Sequence, residues 1–494
     1  MNLATLLQQS ARCFPERPAI TWRGTTLAYA EFDAYSASMA AWLTNIAAAP
    51  NGRVVLYLDN CPELLITMFA AFRAGSSVVP CNSRLTSDEL SFLIGDSDAS
   101  VVITDAVHER VAREAAAQDV IVRVVGRDLD EVLSGPAAPM VDVDPNQTAW
   151  IFYTSGTTGR PKGAMLSHGV LNFVTVSWLA DLTPLDETDV TLHAAPLSHG
   201  AGFHALAATA RAAHQIIADS ASFDPASILA LINERGVTNT WMVPTQIVML
   251  TDAAHHGLEI PTLQHVVYGG APMTPVAMTK ALDRFGSIFV QLYGQGETPM
   301  TATVLRKQDH VPKYLGSAGR ARAGIELRIV DTGGIPVAAG EVGELVVRGP
   351  SLMSGYWNRP DATAETIVNG WLHTGDLGRM TDDGIIYLLD RTKDMIISGG
   401  SNVYAAEVEQ VLSAHESVGE VAVIGVPDDL WGELVVAVVV PAAAAALDTA
   451  SLDAHCRVTL AGYKVPRRYV IVDALPRNAY GKVLKRELRR EVSG

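Results

Sequence analysis

Cysteine is scarce in this chain, with four among 494 residues: Cys13, Cys61, Cys81 and Cys456. They form no CxxC pair and no His/Cys cluster at zinc spacing, which removes thiol-rich metal sites and disulfide-stapled scaffolds. Each reads as a small buried hydrophobe in a reducing, cytoplasmic setting. Charge is sparse as well. Asp, Glu, Lys and Arg make up 18%, below the roughly 25% of an average globular chain. Acids outnumber bases and leave a net charge of −16. That balance argues against nucleic acid as a partner. Anionic small molecules stay open, because a local loop binds phosphate against the global field. No apolar run reaches the roughly 20 residues that span a bilayer. The longest, near Leu434–Leu447, is broken by Pro441. The start, MNLATLLQQSARCFPERPAI, lacks the uninterrupted apolar core of a secretory signal, so a soluble protein without a transmembrane segment is expected. No repeat of tens of residues is visible. GxSxG is missing, as is GxGxxG after a strand, and serine hydrolase and dinucleotide dehydrogenase readings have no support.

Hydrophobic residues make up 48%, and the length calls for two or more domains. Strand-like and helix-like segments alternate in the first third. Arg53–Asn60, Ser76–Pro80 and Ser100–Thr104 read as strands, and Pro62–Ala74 as an amphipathic helix. Such alternation predicts doubly wound α/β layers. Further on, Glu326–Val330 and Glu344–Arg348 flank the turn-rich Asp331–Gly334, which predicts an antiparallel region forming a small β-barrel. Beyond Asp390 the pattern is a compact α+β unit. The expected division is therefore a large α/β N-terminal domain over 1–390, a hinge at 391–393, and a mobile α+β C-terminal domain over 394–494.

Residues 148–168 read TAWIFYTSGTTGRPKGAMLSH. Trp150–Thr154 is strand-like, and a helix N-capped by Ser167 is predicted with Val170, Leu171, Val174 and Trp178 on one face. Between them lie Thr154, Ser155, Gly156, Thr157, Thr158 and Gly159, with Lys162 and Gly163 after. This composition suits polyphosphate. Glycines let backbone N–H groups turn inward, hydroxyls donate, and Lys adds compact positive charge. It is not a Walker A loop, which needs Ser or Thr directly after the lysine.

The string SGTTGRPKG resembles the phosphate-binding signature of the adenylate-forming superfamily, which includes acyl- and aryl-CoA synthetases, firefly luciferases and peptide-synthetase adenylation domains. Other family signatures follow in order along nearly the whole chain. GGAP, with Gly270, Ala271 and Pro272, resembles the segment lining the adenine and acyl pocket. YGQGE resembles the YGxTE motif; Gly294 and Gln295 fall within it, and Gly296 stands where the family carries Thr. The resemblance implies that Tyr293 packs on adenine and that Glu297 holds Mg²⁺, a hard cation that wants carboxylate oxygen. WLHTGDL implies that Asp376 binds the ribose hydroxyls, and Arg391 matches an arginine on ribose and phosphate. Lys393 matches the hinge position. SGG implies that Gly399 and Gly400 border the pantetheine arm of CoA, with Trp431 and Lys464 as further CoA contacts. Lys482 matches the lysine that touches the substrate carboxylate and α-phosphate. PLSHG resembles the segment where CoA ligases carry a His or aromatic at the acyl pocket, which makes His199, with Glu297 and Lys482, a candidate catalytic-site residue that would gate the pantetheine tunnel.

The implied activity is an ATP- and Mg-dependent carboxylic acid:CoA ligase working through an acyl-adenylate. Trp178, Phe203, Trp241 and Met242 in apolar stretches point to a hydrophobic fatty or aromatic acid. The chain would act as a monomer or homodimer. Two alternatives remain at this stage: transfer to a carrier-protein thiol, and a catalytically silent nucleotide-binding homologue. Gly296 is the main argument for the second.

Overall fold

The computed structural model describes residues 1–46, 51–154, 160–219, 223–254, 259–391, 394–398, 401–428, 430–442, 447–477 and 483–493. The chain divides into two compact units. One comprises Met1–Leu327 with Val347–Leu372, the other Arg328–Val346 with His373–Gly494.

The first unit is α/β with two extended sheets. In the six-stranded sheet the order is Ile121–Val124, Val101–Thr104, Arg53–Tyr57, Ser77–Pro80, Thr148–Thr154 and Lys162–Ser167. The first five strands run parallel and the last is antiparallel. Val101–Thr104 and Ser77–Pro80 are buried along their whole length, as a parallel strand covered on both faces requires. The crossover helix Pro62–Arg73 begins with proline at its first turn and is buried nearly all round.

A second, nine-stranded sheet has Phe289–Gln295, His265–Tyr268, Asn239–Met242, Val190–His193 and His214–Ile217 in parallel sequence at its centre. The core includes Trp150, Trp178, Phe69, Phe72 and Phe203, all essentially inaccessible. Burying side chains of this size against each other is the main driving term for such a unit. Helix His168–Asp181 is capped as expected, the Ser167 hydroxyl accepting from the Val170 N–H at 3.2 Å. Val170, Leu171, Val174 and Trp178 all face inward.

One element was not foreseen. Lys162–Ser167 is a strand, not loop, and pairs antiparallel with Thr148–Thr154 so that Lys162 lies opposite Thr154. A lysine and a glycine in six residues weaken the strand signal, and the ladder with its partner supplies what propensity does not.

In the second unit, strands Val418–Asp428 and Gly432–Pro441 form a long antiparallel pair, joined on one edge by the parallel strand Arg468–Ile471. Helices Ala405–Ser413 and Thr449–Thr459 cover one face. The longest apolar run of the sequence is thereby a central strand, with Val435–Val439 fully buried. Among the described residues no helix is long and apolar enough to cross a membrane.

Candidate active site

In the first unit the motif residues gather at the carboxyl ends of parallel strands, the position where open α/β sheets bind ligands. Thr154 ends the strand Thr148–Thr154, GGAP follows His265–Tyr268, and Glu297 follows Phe289–Gln295. Glu297 is buried. Its Oε1 accepts from the Tyr356 hydroxyl at 2.6 Å and from Thr154 Oγ1 at 3.1 Å. Two donors on one oxygen hold the carboxylate in one orientation. Burial, and then the adjoining Glu297 carboxylate, push the Tyr356 phenol above its usual range, so it stays protonated as the donor. Lys162 stands next to this group, its ammonium 5.0 Å from the centre of the Tyr356 ring.

Tyr356 was not singled out from sequence. It lies 59 residues from Glu297. It is seated by the backbone: the Trp357 N–H donates to Gly163 O at 2.8 Å, and Met165 N–H donates to Gly355 O at 2.9 Å. The available signal was an aromatic pair directly after Ser354–Gly355.

Tyr293 is half-buried in its strand, two residues from Gln295. Gly270, Ala271 and Pro272 are exposed. The preceding Gly269 is needed for close approach, since a Cβ there would lie 2.6 Å from Leu292 O. His199 precedes helix Gly200–Ala210, with Nδ1 2.9 Å from Ser198 Oγ and its ring edge-on to Phe152. Burial drives its pKa down to about 4, which makes it a neutral imidazole at pH 7. Asp59, Asp105 and His108 bring three ligand-type atoms within 4.8 Å of one another elsewhere in this unit, but these atoms bond to each other, to Ser83 and to local backbone.

In the second unit, Asp376 and Arg391 face each other across strands Trp371–Met380 and Ile386–Arg391, Nε to Oδ1 at 3.2 Å. The Asp376 N–H donates to Thr374 Oγ1 at 3.1 Å. Trp431 lies under the Arg467 guanidinium, 3.8 Å from its ring centre. Lys464 donates to both oxygens of Glu407 at 2.7 Å. Ser155, Gly156, Thr157, Thr158, Gly159, Lys393, Gly399, Gly400 and Lys482 lie outside the described residues.

In the first unit a buried carboxylate is thus fixed by two hydroxyls, with a lysine nearby, where strand ends of the two sheets meet. The chain matches the AMP-binding enzyme model over residues 7–357 and the AMP-binding enzyme C-terminal domain over 407–482. It is 40% identical over 484 residues to a feruloyl-CoA synthase of Amycolatopsis sp, covering 97% of both chains. To the long-chain-fatty-acid–CoA ligase FadD13 of Mycobacterium tuberculosis it is 35% identical over 502 residues, covering 100% of this chain and 99% of the other. The solved ATP-bound MatB of Rhodopseudomonas palustris superimposes with a TM-score of 0.91 at 31% identity, covering 100% and 99% of the two chains.

The chain belongs to the AMP-binding enzyme family, the adenylate-forming superfamily. It is an ATP-dependent, AMP-forming acid–thiol ligase of the acyl-CoA synthetase type.

Proposed function

We propose that this ligase activates an aromatic carboxylic acid with MgATP and passes the acyl group to CoA. In the first step the carboxylate oxygen attacks the α-phosphorus, forming acyl-AMP and releasing pyrophosphate. In the second the CoA thiol attacks the acyl carbon, the thiol proton leaves to solvent, and AMP departs. Oxide-like leaving groups make carboxylates poor acyl donors, and the phosphoryl mixed anhydride removes that obstacle. Positioning and charge stabilisation supply most of the rate.

Thr154–Gly159 and Lys162 would hold the β- and γ-phosphates, and Tyr293 with Gly270, Ala271 and Pro272 the adenine. Asp376 and Arg391 would hold ribose, and Lys482 the reacting centre. The donor set of Glu297 carboxylate and Thr154 hydroxyl, oxygens 3.1 Å apart, fits a hard divalent cation. When bound, Mg²⁺ neutralises triphosphate charge. Rotation of the C-terminal region about Lys393 would withdraw Lys482 and present Gly399, Gly400, Trp431 and Lys464 to CoA. The protein would work in the cytoplasm.

The observation that carries the aromatic assignment is the half-buried Phe152 ring, which His199 meets edge-on at 5.5 Å. The relationship to a feruloyl-CoA synthase supports it. ATP–pyrophosphate exchange across short, medium, long and aromatic acids, with and without CoA, tests the whole reading. Aromatic-acid-dependent exchange with CoA-dependent AMP release is expected. Exchange without CoA turnover moves the acceptor to a carrier-protein thiol. Lys482→Ala should lose adenylation and keep thioester formation from supplied acyl-AMP; an equal fall in both refutes domain alternation.

A further inference from the structure

Successive side chains of a strand alternate between its faces. In Thr148–Thr154, Tyr153 turns to one side, where its hydroxyl donates to Asp96 Oδ2 at 2.8 Å. Trp150, Phe152 and Thr154 share the other side, which ends at Glu297. Trp150 and Phe203 are buried and stacked, 27° apart in plane. Phe152 extends the stack, 5.8 Å from Phe203 and tilted 31°. Unlike Trp150 and Phe203, Phe152 is only half-buried. The His199 ring meets it edge-on at 5.5 Å and 80°.

Across from this ring is Gly296. A Cβ at 296 would lie 2.3 Å from Thr154 Cγ2 and 2.7 Å from Phe152 Cδ1. Neither atom can retreat cheaply. The Thr154 methyl shares its Cβ with the hydroxyl that holds Glu297, and the Phe152 ring is backed by Trp150 and Phe203. The space that a side chain at 296 would need is already filled from another strand.

From this geometry we infer that Phe152 is a specificity-determining residue of the acyl site, and that Gly296 is the position that makes room for it. The inference rests on the ligase reading above. Gly296 is then a compensated replacement and not a lesion. The half-buried Phe152 would give a flat aryl substituent a stacking partner that a flexible alkyl chain cannot use as well.

The test compares wild type, Phe152→Leu, Gly296→Ala and the double variant in ATP–pyrophosphate exchange, using cinnamate and nonanoate as probes. The readout is the ratio of kcat/KM for the two acids, with thermal melting as a check on folding. Wild type should favour cinnamate. Phe152→Leu should cut that preference by about tenfold, the upper range for loss of one aromatic pair. Gly296→Ala should cut it similarly by displacing the ring. The double variant should be no less selective than the worse single, because both act through the same ring. A Phe152→Leu ratio within about twofold of wild type overturns the inference, as do additive effects in the double variant. Wild-type exchange without aryl preference also overturns it while leaving the ligase reading standing. Exchange with neither probe, nor with any other acid, overturns the ligase reading itself.

Discussion

In the first unit a carboxylate is held by hydroxyls: Glu297 by Tyr356 at 2.6 Å and Thr154 at 3.1 Å. In the second unit carboxylates are held by long cations. Lys485 pairs with Glu409 at 2.8 Å, Arg489 with Asp394 at 3.0 Å, and Lys464 with Glu407 at 2.7 Å. Asp390 sits among them, its carboxylate accepting from the Ala405 N–H at 2.6 Å and the Arg391 N–H at 2.7 Å. Burial raises the Asp390 pKa, and Lys485 offsets only part of that rise. Burial likewise works against the Lys485 ammonium, yet Glu409 and Asp390 keep its pKa above the usual range. Hydroxyls seated on a strand end and on an isolated bridge fix one geometry. Lysine and arginine stems adapt while keeping their charge paired. A site proposed for phosphate chemistry needs the first property, and a unit proposed to turn between two half-reactions is served by the second.

The contrast breaks or sharpens at four points. Glu297→Gln should cause the largest change, lowering kcat/KM for ATP–pyrophosphate exchange by about a hundredfold through loss of the fixed charge. Its thermal transition should move little. Lys485→Met should do the opposite. Leaving Asp390 and Glu409 without their cation should cost about 2 kcal/mol in urea unfolding, and Lys485→Arg should recover much of it. If Lys485→Met is as stable as wild type, the ionic network is decorative. Tyr356→Phe removes one donor from Glu297 and should lower exchange about tenfold, a value near 1.4 kcal/mol for a hydrogen bond to a charged group. Activity within twofold of wild type would show that Thr154 alone suffices.

The smallest expected effect is that of pH near neutrality. Burial holds His168, His193 and His199 at about 4. Their folded pKa values lie below the unfolded value of about 6.5, so the unfolded chain binds more protons between those limits. Stability should be flat for these groups above about pH 6.5 and decline as pH falls toward 4. Urea midpoints between pH 8 and 4 check this, and a decline setting in above pH 7 would contradict neutral burial of the three rings.

Much of the fold was legible because its signals are local. The strand runs Arg53–Tyr57 and Val101–Thr104, the proline-led helix Pro62–Arg73 and the Ser167 cap each depend on neighbouring residues. Lys162–Ser167 was missed because its strand character comes from the ladder with Thr148–Thr154. Of the site, Thr154, Lys162 and Glu297 were legible as motif residues, whereas Tyr356 belonged to no string that announced a role.

The sequence alone determined the family chemistry, since a phosphate loop and its accompanying motifs are written in consecutive residues. Tertiary structure decided which of them meet and what the departures mean. Gly296 read by itself is a missing hydroxyl. Set against the Thr154 methyl and the Phe152 ring it is the residue that those side chains require. No local pattern could reveal this, because the contact joins the ends of strands from two different sheets, and only close packing makes a single absent carbon matter.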